Sequence, residues 1–182
     1  MGIILVLGGT KTGKTTFAEN RAKKLSSKNN LPVHYVATAR AIDGEMENRI
    51  KKHRENRPSH WITIEEPLLV SDVLKVLKDK DTVIILDCLT LLMTNIIFEK
   101  GESCSREEAE VCVFSEIDKI VSAMKNNPQE FIIISNQVEN GLVSEHAWAR
   151  MFQDIAGMVH QKLAAASEHV YMMNAGLAQK LK

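Results

Sequence analysis

Short runs rich in β-branched and other apolar residues alternate along the chain with longer stretches of helical spacing. The runs are Ile3–Leu7, Val33–Thr38, Trp61–Ile64, Thr82–Asp87, Glu130–Ser135 and His169–Met173, and each reads as a strand. Phe17, Ala18, Arg21, Ala22 and Leu25 share one helical face until Ser26-Ser27 and Asn29-Asn30 interrupt it. Asp43 is placed to cap a helix from about Gly44 to Asn56, which Pro58 closes. Leu68–Leu77, Leu89–Phe98, Arg106–Lys125 and Glu145–Ala166 read as further helices, with Gly101–Ser105 a loop. The runs TVIILD and EFIIIS lack the polar alternation of a half-exposed strand, as in a parallel sheet covered on both faces. Strands alternating with helices predict an α/β fold, a three-layer α/β/α sandwich around a mostly parallel sheet. Nothing in the pattern marks a domain boundary, a repeat or a low-complexity segment, so residues 1–182 read as a single domain.

The first strand runs straight into GGTKTGKTT. Gly8, Gly13, Lys14 and Thr15 fill the P-loop pattern G-x-x-x-x-G-K-[ST], with a strand before it and a helix after. Glycines allow the tight turn that points the backbone N–H groups of Gly8, Gly9, Thr10, Lys11, Thr12 and Gly13 inward at phosphate oxygens. The helix N-terminus adds partial positive charge. Lys14 can reach the β- and γ-phosphates, and the Thr15 hydroxyl can ligate Mg2+. Glycine-rich strand-to-helix turns also serve as plain connections. At average residue usage, however, the pattern would arise by chance in such a chain roughly once in a hundred. The expected fold is therefore of the P-loop NTPase type.

Composition narrows the partners. Lys plus Arg and Asp plus Glu both number 23, so no basic excess points to a nucleic acid. Cys88, Cys104 and Cys112 are odd in number and lack CxxC spacing, which argues against a disulfide framework or a structural zinc site and favours a reducing cytoplasm. The apolar N-terminus is too short for a signal sequence, and no apolar run approaches the roughly 20 residues of a membrane span. A soluble, cytoplasmic enzyme is expected.

Open parallel sheets bind ligands beyond the carboxyl ends of their strands. The residues there are Gly8–Thr15, Thr38–Arg40, Glu65, Asp87, and Asn136 with Gln137. Asp87 closes an apolar strand in the manner of a Walker B acid and can hold Mg2+ opposite Thr15; its other reading is the cap of the helix at Leu89. Glu65, before a Glu-Pro pair, reads equally well as a solvated turn residue or a site residue. Asn136–Glu145 is a substrate loop or an ordinary connection.

Met46, Ile50, His53 and Arg57 fall on one helical face. A histidine there is more often a packed or rim residue than a catalyst. The run Lys51-Lys52-His53-Arg54 attracts phosphate and favours neutral imidazole, the nucleophilic form, so a covalent phosphoryl or nucleotidyl intermediate is open to it. The same run could be a solvated helix face.

Taken together, GGTKTGKT, VHYVATARAIDGEMENRIKKHRENRPSHW, VIILDCLTLLMTN, ISNQVENGLVSE and FQDIAG resemble the bifunctional adenosylcobinamide kinase / adenosylcobinamide-phosphate guanylyltransferase family of cobalamin biosynthesis. The resemblance runs along essentially the whole chain, and the block around His53 is its most specific part. It implies two reactions. A nucleoside triphosphate, ATP or GTP, phosphorylates the aminopropanol hydroxyl of adenosylcobinamide. GTP then gives GMP to a histidine matching His53, from which adenosylcobinamide phosphate takes it as adenosylcobinamide-GDP. The resemblance places GTP contacts on Gly8–Thr15 with Lys14 catalytic, on Ala37, Thr38 and Ala39, on Arg54, Glu55, Asn56 and Arg57, and on Glu65 and Asp87. It also implies Mg2+ at Thr15 and Asp87, an antiparallel strand around Gly176–Lys182, and a homotrimer in which the His53 helix projects towards a neighbour. Asp87 stands where several members carry Glu, Lys52 where some carry a second His, and Gln137 where a Glu is frequent. The alternatives from other classes are a P-loop small-molecule kinase with no nucleotidyl step and a regulatory nucleotide binder.

Overall fold

The computed structural model describes residues 2–55, 57–78, 81–101, 103–127 and 129–182. In chain order the elements are β1 (Ile3–Gly8), α1 (Lys14–Asn29), β2 (Val33–Ala37), α2 (Gly44–Glu55), β3 (Ile62–Glu65), α3 (Val70–Leu77), β4 (Val83–Asp87), α4 (Leu89–Phe98), α5 (Arg106–Lys125), β5 (Glu130–Asn136), α6 (Ala147–Ala166), β6 (His169–Asn174) and β7 (Leu177–Lys180). The strands form one sheet in the order β3-β2-β4-β5-β1-β6-β7. Every pairing is parallel except β6 with β7, the antiparallel edge that the resemblance implies near the C-terminus.

Two helices start later than the apolar pattern suggests, for local polar reasons. At α3, the Glu66 carboxylate accepts the N–H groups of Leu68 and Leu69, both at 2.8 Å, and holds them outside the helix. At α6, the Arg150 guanidinium donates to the carbonyls of Ser144 and Glu145, both at 2.8 Å, so the helix begins at Ala147 and not Glu145. Helix α5 begins where expected because Ser105 and Glu108 form a reciprocal capping box.

Alternate side chains of each central strand serve opposite faces. Leu5, Leu7, Val36, Ile84, Leu86 and Ile133 pack under α3, α4, α5 and α6. Ile4, Val6, Tyr35, Ile85, Ile132 and Ile134 face the other way, against Ala18 and Ala22 of α1 and against Trp61. Small residues on α1 bring that helix close to the sheet, directly beneath the loop it follows. Helix α2 is the exception among the helices, with no buried residue.

Candidate active site

The loop between β1 and α1 is built on its glycines. A Cβ at Gly8 would lie 2.6 Å from the Met173 carbonyl oxygen and 2.7 Å from the Thr12 hydroxyl, so no side chain fits. Gly13 has φ of 94° at the start of α1, a left-handed conformation natural to glycine. Thr12 donates to the Gly9 carbonyl at 2.9 Å, and the Lys14 ammonium donates to the same oxygen at 2.6 Å. Lys14 is buried, and desolvation holds its pKa below the usual lysine value; the charge of Asp87 opposes that shift and Arg49 adds to it. The loop is braced from both sides. Gln137 N–H donates to the Gly8 carbonyl at 3.0 Å, and Gly176, in the β6–β7 turn, donates to the Thr12 carbonyl at 3.1 Å.

Asp87 stands opposite the loop. Its Oδ2 accepts the Thr15 hydroxyl at 3.4 Å and also the Tyr35 hydroxyl. Tyr35 is fully buried, and burial together with the Asp87 charge raises its pKa, so the phenol remains a donor. The residue capping α4 is Cys88, with no side-chain capping bond, so the Asp87 carboxylate is not used as a helix cap. Two hard oxygens side by side suit Mg2+, which takes one or two protein oxygens and completes its shell with phosphate and water. Among the described residues no group of three or more His, Cys, Asp or Glu is placed to cage a metal.

Thr38 braces β2 to β4. Its N–H donates to the Asp87 carbonyl at 3.0 Å, and its hydroxyl donates to the Cys88 carbonyl at 2.7 Å and accepts the Cys88 N–H at 2.9 Å. The Ala37 carbonyl is taken by Glu66 N–H at 2.9 Å, and Ala39 is half-buried at the rim.

Helix α2 lies over this end of the sheet. Asp43 caps it, accepting Met46 N–H at 2.7 Å. Met46 and Ile50 are half-buried and His53 is exposed. Arg49 and His53 sit one turn apart on α2. Glu19, one turn beyond Thr15 on α1, is half-buried; desolvation raises its pKa, the charges of Lys23, Arg57 and His53 oppose the shift, and Asp87 reinforces it. Arg54 is 3.5 Å from Glu65 Oε1, both side chains exposed, and Glu55 is exposed at the helix end. Arg57 stacks on Tyr35 with its guanidinium carbon 3.6 Å from the ring centroid. Asn56 lies outside the described residues.

Gly8–Thr15, Asp87, His53, Arg54, Arg57 and Glu65 thus gather at one end of the sheet, with Ala37–Ala39 beside them. Sequence reasoning passed over Tyr35, Glu19, Arg49 and Gly176. Helical spacing from Thr15 and from His53 could have found Glu19 and Arg49. Tyr35 carried no signal beyond that of a strand residue.

A glycine-cradled loop between a central strand and a helix, with a strand-end acid facing the loop threonine, defines a P-loop nucleotide-binding protein. Solved structures share the fold. The flagellar accessory protein FlaH from Methanocaldococcus jannaschii superposes with a TM-score of 0.51 and 18% identity, covering 100% of this chain and 78% of that one. A prototypical ATPase from the type III secretion system of pathogenic bacteria gives 0.55 and 11%, covering 98% of this chain and 56% of that one. At such identities the likeness shows the fold alone.

Residues 4–181 match the model of the family described as cobinamide kinase / cobinamide phosphate guanyltransferase, and the chain belongs to that family. Among its curated relatives are the bifunctional adenosylcobalamin biosynthesis proteins CobU of Escherichia coli and CobP of Pseudomonas aeruginosa. The first is 34% identical over 99% of both chains, and the second 35% identical over 98% of this chain and 96% of the relative.

Proposed function

We propose that this chain performs both reactions of its family at the one phosphate cradle, with His53 as the covalent carrier in the second. In the first, the terminal hydroxyl of the aminopropanol arm of adenosylcobinamide attacks the γ-phosphorus of ATP or GTP, and the nucleoside diphosphate leaves. In the second, an imidazole nitrogen of His53 attacks the α-phosphorus of GTP, the bond to pyrophosphate breaks and a phosphoramidate forms. A phosphate oxygen of adenosylcobinamide phosphate then attacks that phosphorus. The N–P bond breaks, His53 is released, and adenosylcobinamide-GDP is the product.

The loop amides from Gly8 to Thr15 and the Lys14 ammonium hold the β- and γ-phosphates. Arg54 and Arg57 neutralise phosphate charge as it redistributes. Mg2+, held by Thr15 and Asp87, would supply charge neutralisation at the leaving pyrophosphate. A cytoplasmic homotrimer completes the proposal and rests on the family resemblance.

The observation that supports the histidine role is where the chain around His53 is anchored: Arg54 is 3.5 Å from Glu65 at the end of β3, and Arg57 stacks on Tyr35, whose hydroxyl donates to Asp87. The test is covalent labelling with GTP carrying 32P at the α-phosphate, with α-labelled ATP in parallel. An acid-labile protein label is expected with GTP on the wild type and none on His53→Ala. Normal turnover to adenosylcobinamide-GDP by His53→Ala would refute the role, and a kinase without any label would leave the family's first reaction only.

A further inference from the structure

Since α2 has no buried residue, core burial does not hold the helix that carries His53 in place. The Arg54–Glu65 pair spans 3.5 Å between exposed side chains, and such pairs contribute little. A stronger tie lies two residues beyond the helix. The Arg57 guanidinium carbon sits 3.6 Å from the centroid of the Tyr35 ring, and Trp61 stacks on the same tyrosine at 6.5 Å with planes 28° apart. Tyr35 is fully buried in the sheet, so it offers a fixed platform. Arg57 Nε is itself buried and has no hydrogen-bond partner among the described residues, so stacking on the ring is what that end of the guanidinium has. Arg57 N–H donates to the Arg54 carbonyl at 3.3 Å, which carries the constraint back into the last turn of α2. At the other end of the same side chain, the Tyr35 hydroxyl donates to Asp87 Oδ2, the oxygen that also accepts Thr15.

We propose that Tyr35 is a positioning residue serving both halves of the site. Its hydroxyl aims the Asp87 carboxylate at Thr15, and its ring, through Arg57, anchors the last turn of the His53 helix beside that carboxylate. The second half rests on the His53 reading for its purpose, though not for its geometry. The two halves are separable by mutation. Tyr35→Phe keeps the ring and loses the hydroxyl, whereas Arg57→Gln keeps the hydroxyl and loses the stack.

Amide hydrogen exchange of residues 44–55, measured without nucleotide, tests the stack directly. Exchange is expected to quicken about tenfold in Arg57→Gln and to stay at the wild-type rate in Tyr35→Phe. Because Arg57 is half-buried at the surface, its variant folds without opening the core. Mg2+ titration of the kinase reaction tests the hydroxyl; Tyr35→Phe should need several-fold more Mg2+ for half-maximal rate. The GMP-labelling rate should fall in Arg57→Gln by more than the kinase rate, and in Tyr35→Phe only in proportion to it. Unchanged exchange in Arg57→Gln would overturn the stack, even if labelling fell, since that loss would belong to a GTP contact. Wild-type Mg2+ dependence in Tyr35→Phe would overturn the hydroxyl role. Absence of label on the wild type would sink the His53 reading alone, because the exchange measurement needs no nucleotide.

Discussion

Replacing His160 by alanine should cost more than the loss of a ring from an amphipathic helix. His160 is buried on α6, with Nε2 2.7 Å from Ser135 Oγ and Nδ1 2.9 Å from Glu139 Oε1. Ser135 in turn is 3.1 Å from Thr90 Oγ1, which accepts Asn136 N–H at 2.8 Å. The directions of these bonds follow from counting protons. The Glu139 carboxylate can only accept, so Nδ1 carries the proton that faces it. In the neutral ring Nε2 is then an acceptor, Ser135 donates to it, and Thr90, whose hydroxyl also accepts Asn136 N–H, donates to Ser135. Alanine removes two hydrogen bonds, one of them to a carboxylate, and strands the Ser135 proton. It also deprives Glu139, whose Oε2 is already buried without a partner among the described residues. One neutral bond, one charge-assisted bond and an unsatisfied group together amount to about 3–5 kcal/mol. For a chain of this size that lowers the melting temperature by about 10 °C. Glutamine, which can accept from Ser135 and donate to Glu139, should recover about half of the loss. Urea unfolding followed by circular dichroism measures both variants. An alanine cost below about 1 kcal/mol, or glutamine no better than alanine, would show that the chain of donors is drawn wrongly.

Two further outcomes can be read in solution. Folding raises the Glu19 pKa, chiefly through burial, so its contribution to stability is complete below the ordinary glutamate value of 4.5 and is lost as the pH rises through the folded value. Glu19→Gln should therefore melt above the wild type at neutral pH, with the gain vanishing in acid; equal melting at neutral pH would count against the burial argument. The Cys88 thiol is buried, and desolvation with the adjacent Asp87 charge pushes its pKa up to about 12. At pH 8 about one molecule in ten thousand then carries the thiolate. Iodoacetamide followed by peptide mass spectrometry should find Cys104 and Cys112, both partly exposed, alkylated well before Cys88 in the native protein. Alkylation of Cys88 at the rate of Cys104 would refute its enclosure.

Much of the architecture was legible because a sheet covered on both faces demands uninterrupted apolar strands, and TVIILD and EFIIIS show them plainly. Helix ends were less so where a distant side chain takes the terminal backbone groups. Glu66 and Arg150 delay α3 and α6 through hydrogen bonds that apolar periodicity does not encode. Strand order was also out of reach, since β5 slips between β4 and β1 without any local mark. Exposed β7 has no apolar face to betray it, and only the resemblance placed a strand there. At the site, the P-loop and Asp87 announced themselves by spacing, whereas the nucleophilic reading of His53 needed the family pattern. Tyr35 stayed hidden because its ring satisfies the core pattern while its hydroxyl and upper surface serve Asp87 and Arg57.

The two halves of the site differ in what holds them. Gly8, Lys14 and Asp87 belong to the best-buried strands and to the first turn of a helix packed on them, so the phosphate cradle has the stability of the core. Among the described residues, the His53 helix has no fully buried side chain, and its ties are the Arg57 stack, the exposed Arg54–Glu65 pair and half-buried Met46 and Ile50. Local opening of such an element costs far less than global unfolding. On the mechanism proposed above, the kinase step needs the cradle alone, whereas the guanylyl step needs the cradle and the helix together. Conditions or mutations that loosen α2 without touching the core should therefore reduce GMP transfer to His53 before they reduce phosphorylation. On that mechanism the two activities share the phosphate cradle but are not equally robust.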